Sequence, residues 1–90
     1  MSKICSVLEK QTIFVGDHNL TVLSIQRPGF CLVELDNGDR FGLSWDRTFE
    51  IWPEVFVGVD RRSSQGKRIK VVIAAPKSVN IWWQDDAEIT

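Results

Sequence analysis

The sequence predicts a small all-β protein, a mainly antiparallel multi-stranded sheet or barrel forming one domain over residues 1–90. Three observations lead there. Short β-branched runs are cut by turn residues at intervals of about ten. Turn pairs with a defined chemistry, Gly16-Asp17, Pro28-Gly29 and Asn37-Gly38, fall between those runs. No stretch carries the 3.6-residue periodicity and caps of a helix, although short helical turns around 45–52 or after 84 are compatible with the pattern.

The elements follow in order. TIFVGD (12–17) is a strand closed by Gly-Asp, and LTVLSI (20–25) runs into Gln-Arg-Pro-Gly, whose Pro-Gly suits the centre of a type II turn. FCLVEL (30–35) meets RFGLSW (40–45) across Asp-Asn-Gly-Asp, where Asn37-Gly38 predicts a two-residue hairpin with positive φ at both positions. FEIWPEVFVGV (49–59) contains Pro53, which cannot donate to a ladder and therefore marks a break or an edge. VFVGV and RIKVVIAA flank the loop DRRSSQGK, and Ala-Pro-Lys turns the chain into a last strand, SVNIWW (78–83). By alternation Val79, Ile81 and Trp83 share one face and Ser78, Asn80 and Trp82 the other, so Trp83 belongs to the core and Trp82 to the surface.

A faint internal echo accompanies this pattern. Shifted by 38 residues, CLVEL falls on IKVVI and FGLSW on VNIWW, and TIFVGD stands against TFEIWPE. Two copies of one β unit, about 1–46 and 47–90, would explain it, and so would chance, since all-β sequences resemble one another.

Composition narrows the function classes. Ninety residues bury only about 60–65% of the unfolded surface, so an exposed tryptophan is costly. The start MSKICSVLEKQ has no sustained apolar run, and no window reaches the roughly 20 apolar residues of a membrane-spanning helix. Cys5 and Cys31 make no CxxC pair and there is one histidine, so reduced, buried thiols in a cytoplasmic protein are expected, without metal or other cofactor. His18 beside Asp17 has no nucleophile or second acid placed near it, and the scattered carboxylates lack metal-loop spacing; no enzyme is expected.

The net charge of −1 conceals an asymmetry. Arg61, Arg62, Lys67, Arg68, Lys70 and Lys77 fall in residues 61–84 with no acid among them. Basic groups beside a tryptophan pair supply the two ingredients of single-stranded RNA binding, phosphate neutralisation and base stacking. The same loop would also serve as a solvated hairpin tip.

KVVIAAPKSVNIWWQDDAEI (70–89) resembles the carbon storage regulator (CsrA/RsmA) family, whose chains carry a strand, an Ala-Pro turn and a final Val-x-Val/Ile strand. VFVGVDRRSSQGKR is similar to the strand and turn before it, and TIFVGDHNLTVLSI to the family's early strand, Gly-Asp turn and second strand. The resemblance covers residues 55–89 best and 12–25 more weakly, with an insertion or a duplicated unit between. It implies a β-sheet homodimer that regulates translation by binding GGA-containing single-stranded loops in mRNA leaders or small RNAs. In that family the RNA lies between the first strand of one subunit and the last strand of the other, near the Ala-Pro turn. A duplicated chain would imitate such a dimer alone. The family's early Arg-Arg signature is replaced here by VLEKQ, and its last-strand arginine and the neighbouring residue fall at Trp83 and Trp82.

The expected RNA-binding residues are therefore Arg61, Arg62, Lys67, Arg68 and Lys70 for phosphates and Trp82 for stacking, with Ala75, Pro76 and Lys77 bordering the bound loop. A protein-interaction module, an SH3-like barrel presenting tryptophans to a protein partner, is the alternative.

Overall fold

In the computed structural model, which describes residues 2–27, 29–60 and 68–83, nine strands form two antiparallel sheets around one core. They are β1 (Ser2–Leu8), β2 (Thr12–Val15), β3 (His18–Arg27), β4 (Phe30–Leu35), β5 (Arg40–Ser44), β6 (Phe49–Trp52), β7 (Val55–Val59), β8 (Arg68–Ala74) and β9 (Ile81–Trp83). One sheet has the order β1-β8-β7-β6 and the other β5-β4-β3-β2-β9. Among the described residues there is no helix, so the all-β expectation holds.

Alternation builds the core. Cys31, Val33 and Leu35 of β4 and Ile69, Val71 and Ile73 of β8 are buried in one cluster with Cys5, Val7, Ile13, Leu20 and Leu43. Both cysteines are free and buried. Burial pushes the Cys31 thiol up to about 12; burial also raises Cys5 to about 12 against a smaller opposing pull from Lys3.

The turns follow their glycines. Gly16 (φ 59) takes the first central position of the two-residue β2–β3 hairpin, and Gly29 (φ 74) precedes β4. At β4–β5 the expected two-residue turn is not formed. Gly38 N–H donates to Leu35 O at 3.0 Å and Leu35 N–H to Asp39 O at 2.8 Å, so three residues make the loop with only Gly38 (φ 94) left-handed. A left-handed glycine following an ordinary turn lets Asn37 keep negative φ while its side chain caps Asp39 N–H at 3.0 Å. Pro53 does break the 49–59 run: Pro53-Glu54 turns β6 into β7, and Glu54 carries φ 66.

Two features were not read from the sequence. β1 is a full strand, its inward positions Cys5 and Val7 paired in register with Val71 and Ile69. The last strand is shorter than SVNIWW; residues 75–80 form a turn and only 81–83 pair, with β2 rather than with the preceding β8.

The chain order hides a two-fold correspondence. Exchanging β1 with β5, β2 with β6, β3 with β7 and β4 with β8 converts β1-β8-β7-β6 into β5-β4-β3-β2. The registers agree. Leu20 pairs with Leu35 and Val22 with Val33, as Val57 pairs with Ile73 and Val59 with Val71. Cys5 and Val7 meet Val71 and Ile69 as Phe41 and Leu43 meet Val33 and Cys31. Two of the echoes noted in the sequence, β2 with β6 and β4 with β8, join equivalent strands. The third, FGLSW with VNIWW, joins β5 to β9, which hold different places: β5 is the counterpart of β1.

β9 is the strand left over. It adds to the outer edge of β2, and among the described residues no strand adds to the matching edge of β6. That edge is guarded. Glu50 stands where β2 has Phe14, and a bulge between Glu50 and Trp52 interrupts the ladder. Phe41, in the place of the fully buried Cys5, is 37% exposed on this uncovered side.

Candidate functional site at the seam between the sheets

The two sheets meet along β1 and β9, an edge strand of each. β9 reaches this place because the turn after β8 carries it across. Val79 N–H donates to Pro76 O at 3.0 Å, Gly16 N–H donates to Asn80 O at 2.8 Å, and Ile81 then sits in the core opposite Val15. Lys3 Nζ on β1 donates to Ile81 O at 3.1 Å and ties the strands together. Beside that contact runs a groove of about 320 Å³ lined by Lys3, Lys77, Ser78, Val79, Asn80 and Ile81. It presents two ammonium groups and two neutral polar side chains, a composition suited to a phosphate and an adjoining polar edge.

The tryptophan pair splits as alternation requires. Trp83 is half-buried against the core, and its indole Nε1 is buried with no hydrogen-bond partner among the described residues. Trp82 points to the outer face of the five-stranded sheet and is 51% exposed. It stacks on Phe14, its cross-strand partner, with ring centroids 4.4 Å apart and planes within 14°. One indole face is thereby fixed to the protein.

The remaining basic residues are placed differently from a single cluster. Lys70 lies opposite Ser6 on the outer face of the four-stranded sheet, and Arg68 Nη1 donates to Ser6 O at 3.3 Å. Arg68 and Lys70 thus stand on β8 beside β1 in one sheet, while Trp82 stands on β9 itself at the edge of the other. Ala75 is buried and Pro76 half-buried at the base of the turn that presents the exposed Lys77. Arg61, Arg62 and Lys67 lie outside the described residues.

Lys3 is a site residue that the sequence reading missed. Its signal is alternation around Cys5 and Val7, which makes residues 2–8 a strand and places Lys3 at its outer end. His18 also does more than occupy a turn. Its Nδ1 lies 3.0 Å from Asp36 Oδ2, and its ring stacks on Trp52 of the opposite sheet at 4.7 Å. A second cavity of about 490 Å³ at this junction shares Ser78, Val79 and Asn80 with the groove, so the 78–80 turn lines both.

Comparison with known proteins leaves the site to be read on its geometry: no protein-family model, curated protein or solved structure matches the chain.

Proposed function

We propose that the chain is a divergent relative of the carbon storage regulators that binds a single-stranded RNA loop at the β1–β9 seam, acting as a translational regulator or as a modulator of one. The observation that carries the reading is the adjacency of β1 and β9, which Lys3 Nζ ties together through Ile81 O. The resembled family holds RNA between the first strand of one subunit and the last strand of the other. Here the first and last strands of one chain, β1 and β9, lie side by side on different sheets. One chain would then do the work of a dimer. The guarded β6 edge, which has no counterpart of β9 among the described residues, limits it to one such seam.

The chemistry at the seam supports the same reading. Lys3 and Lys77 face the groove, Lys70 and Arg68 stand on the other side of β1, and Trp82 offers an indole held flat by Phe14. The lysines take the part of the family's arginines as phosphate contacts, and stacking on Trp82 tolerates any base.

A titration with a GGA-containing RNA hairpin at rising salt tests this. Affinity falls steeply with salt, Lys3→Gln and Lys77→Gln each lower the logarithmic salt slope by about one, and Trp82→Ala weakens binding roughly tenfold. No binding at low salt would reject the proposal. The second reading, a protein-interaction module, draws on the exposure of Trp45 and Trp82, since tryptophan concentrates at interface hot spots. It predicts that Trp82→Ala keeps the fold and leaves RNA behaviour unchanged while a protein contact is lost.

A further inference from the structure

The edge of the five-stranded sheet farthest from β9 carries a separate groove. The β5–β6 connection closes over β4 to leave a space of about 440 Å³, walled by Phe30, Trp45 and Phe49 and rimmed by Asp46 and Arg47. Two glycines seat the aromatic wall. A Cβ on Gly29 would lie 2.8 Å from Trp45 Cδ1, and one on Gly42 would lie 3.3 Å from Phe30 Cζ, so both rings rest against bare backbone. Trp45 N–H donates to Gly29 O at 3.0 Å, which fixes the connection at the groove, yet the residue stays 50% exposed. At the rim the Ser44 hydroxyl donates to Asp46 Oδ1 at 2.6 Å. That hydrogen bond, with a smaller contribution from Arg47, holds the Asp46 carboxyl below its ordinary range.

We propose that this groove binds one unstacked guanine base. The aromatic wall supplies a flat surface for a π face, which every base satisfies. Selection comes from Asp46. An ionised carboxylate is acceptor-only, and its two oxygens match the adjacent N1–H and N2–H donors on the Watson–Crick edge of guanine. Adenine, cytosine and uracil have no two adjacent donors on that edge, so a carboxylate bridging two positions would face an acceptor at one of them. Arg47 provides a donor for the base carbonyl or for the attached phosphate. With Asp46 and Arg47 side by side the rim carries no net charge, which suits a base better than a run of phosphates.

The groove and the seam lie on opposite edges of the five-stranded sheet, so either assignment can fail without the other. The test is two-dimensional NMR of the ¹⁵N-labelled full chain titrated separately with guanosine, adenosine, cytidine and uridine 5′-monophosphates. Guanosine monophosphate should shift the Gly42 amide and the Trp45 indole saturably, with the other three bound roughly tenfold or more weakly. Asp46→Asn, an exposed change whose spectrum reports an intact fold, should abolish that preference. Absence of shifts, equal binding of all four nucleotides, or an unchanged preference in Asp46→Asn would overturn the proposal. Shifts at the same residues with a proline-rich peptide and none with guanosine monophosphate would overturn it too, and assign the groove to protein.

Discussion

Trp82 offers a perturbation whose consequences for stability and for binding can be worked separately. It is 51% exposed, so about half of its side chain is covered, chiefly by the ring of Phe14 stacked 4.4 Å away. A fully buried tryptophan removes up to roughly 250 Å² from water, so the covered part is on the order of 100 Å². At about 25 cal/mol per Å² that area contributes about 2.5 kcal/mol, reduced by partial burial in the unfolded chain, and the stack adds about 0.5–1.5 kcal/mol. Trp82→Ala should therefore cost about 2–3 kcal/mol, a large share of the roughly 5–13 kcal/mol expected for a domain of this length. Trp82→Phe keeps a ring over Phe14 and should cost about 1 kcal/mol or less. Urea unfolding followed by far-ultraviolet circular dichroism measures both, and a double-mutant cycle with Phe14→Ala isolates the stack. The predicted coupling is about 0.5–1.5 kcal/mol. A neutral Trp82→Ala, or a coupling near zero, would refute the placement of Trp82 on Phe14 and with it the preset stacking surface.

Two further predictions concern the scaffold. Gly29→Ala places a Cβ against Trp45 at φ 74 and should destabilise by about 1–3 kcal/mol in the same unfolding assay, whereas Gly38→Ala, with open space around its Cβ, should pay only for its φ of 94. The buried thiols make stability fall with alkaline pH. Their folded pKa of about 12 exceeds the unfolded value near 9, so between those values the unfolded chain holds fewer protons and each unit of pH removes up to about 1.4 kcal/mol per thiol. Urea midpoints from pH 8 to 11 should decline accordingly, and less so in Cys31→Ala after correction for its own loss of packing; a flat profile would contradict the burial.

Local chemistry made much of the fold legible in the sequence. Gly16-Asp17, Pro53 and Asn37-Gly38 each mark a real chain reversal because backbone sterics act within four residues. Even there the hairpin at Gly38 differs in type, since a capping Asn37 side chain allows an alternative with a single left-handed residue. Alternation placed Trp82 outside and Trp83 inside for the same local reason. Pairing between distant strands was not legible. β1 is hard to see in the sequence because the charged Lys3 falls on the inward alternation of Cys5 and Val7 and Glu9 follows the strand, leaving Cys5 and Val7 as its only fully buried residues. β9 resembles β5 in spacing because every half-buried strand alternates. Only the sheet order shows that β5 answers to β1, and that β9 pairs with β2, far away in sequence. The seam follows from that long-range pairing alone, although the alternation of β1 already places Lys3 at the end of a strand.

On the proposed function, one chain forms a single RNA-binding seam from its own first and last strands. Backbone and indole shifts mapped on adding a GGA-containing RNA hairpin to the ¹⁵N-labelled chain test this. Saturation is expected at one hairpin per chain, with the largest changes at Lys3, Lys77, Asn80, Ile81 and the Trp82 indole. Changes absent from these residues, or saturation only at two chains per hairpin, would contradict it.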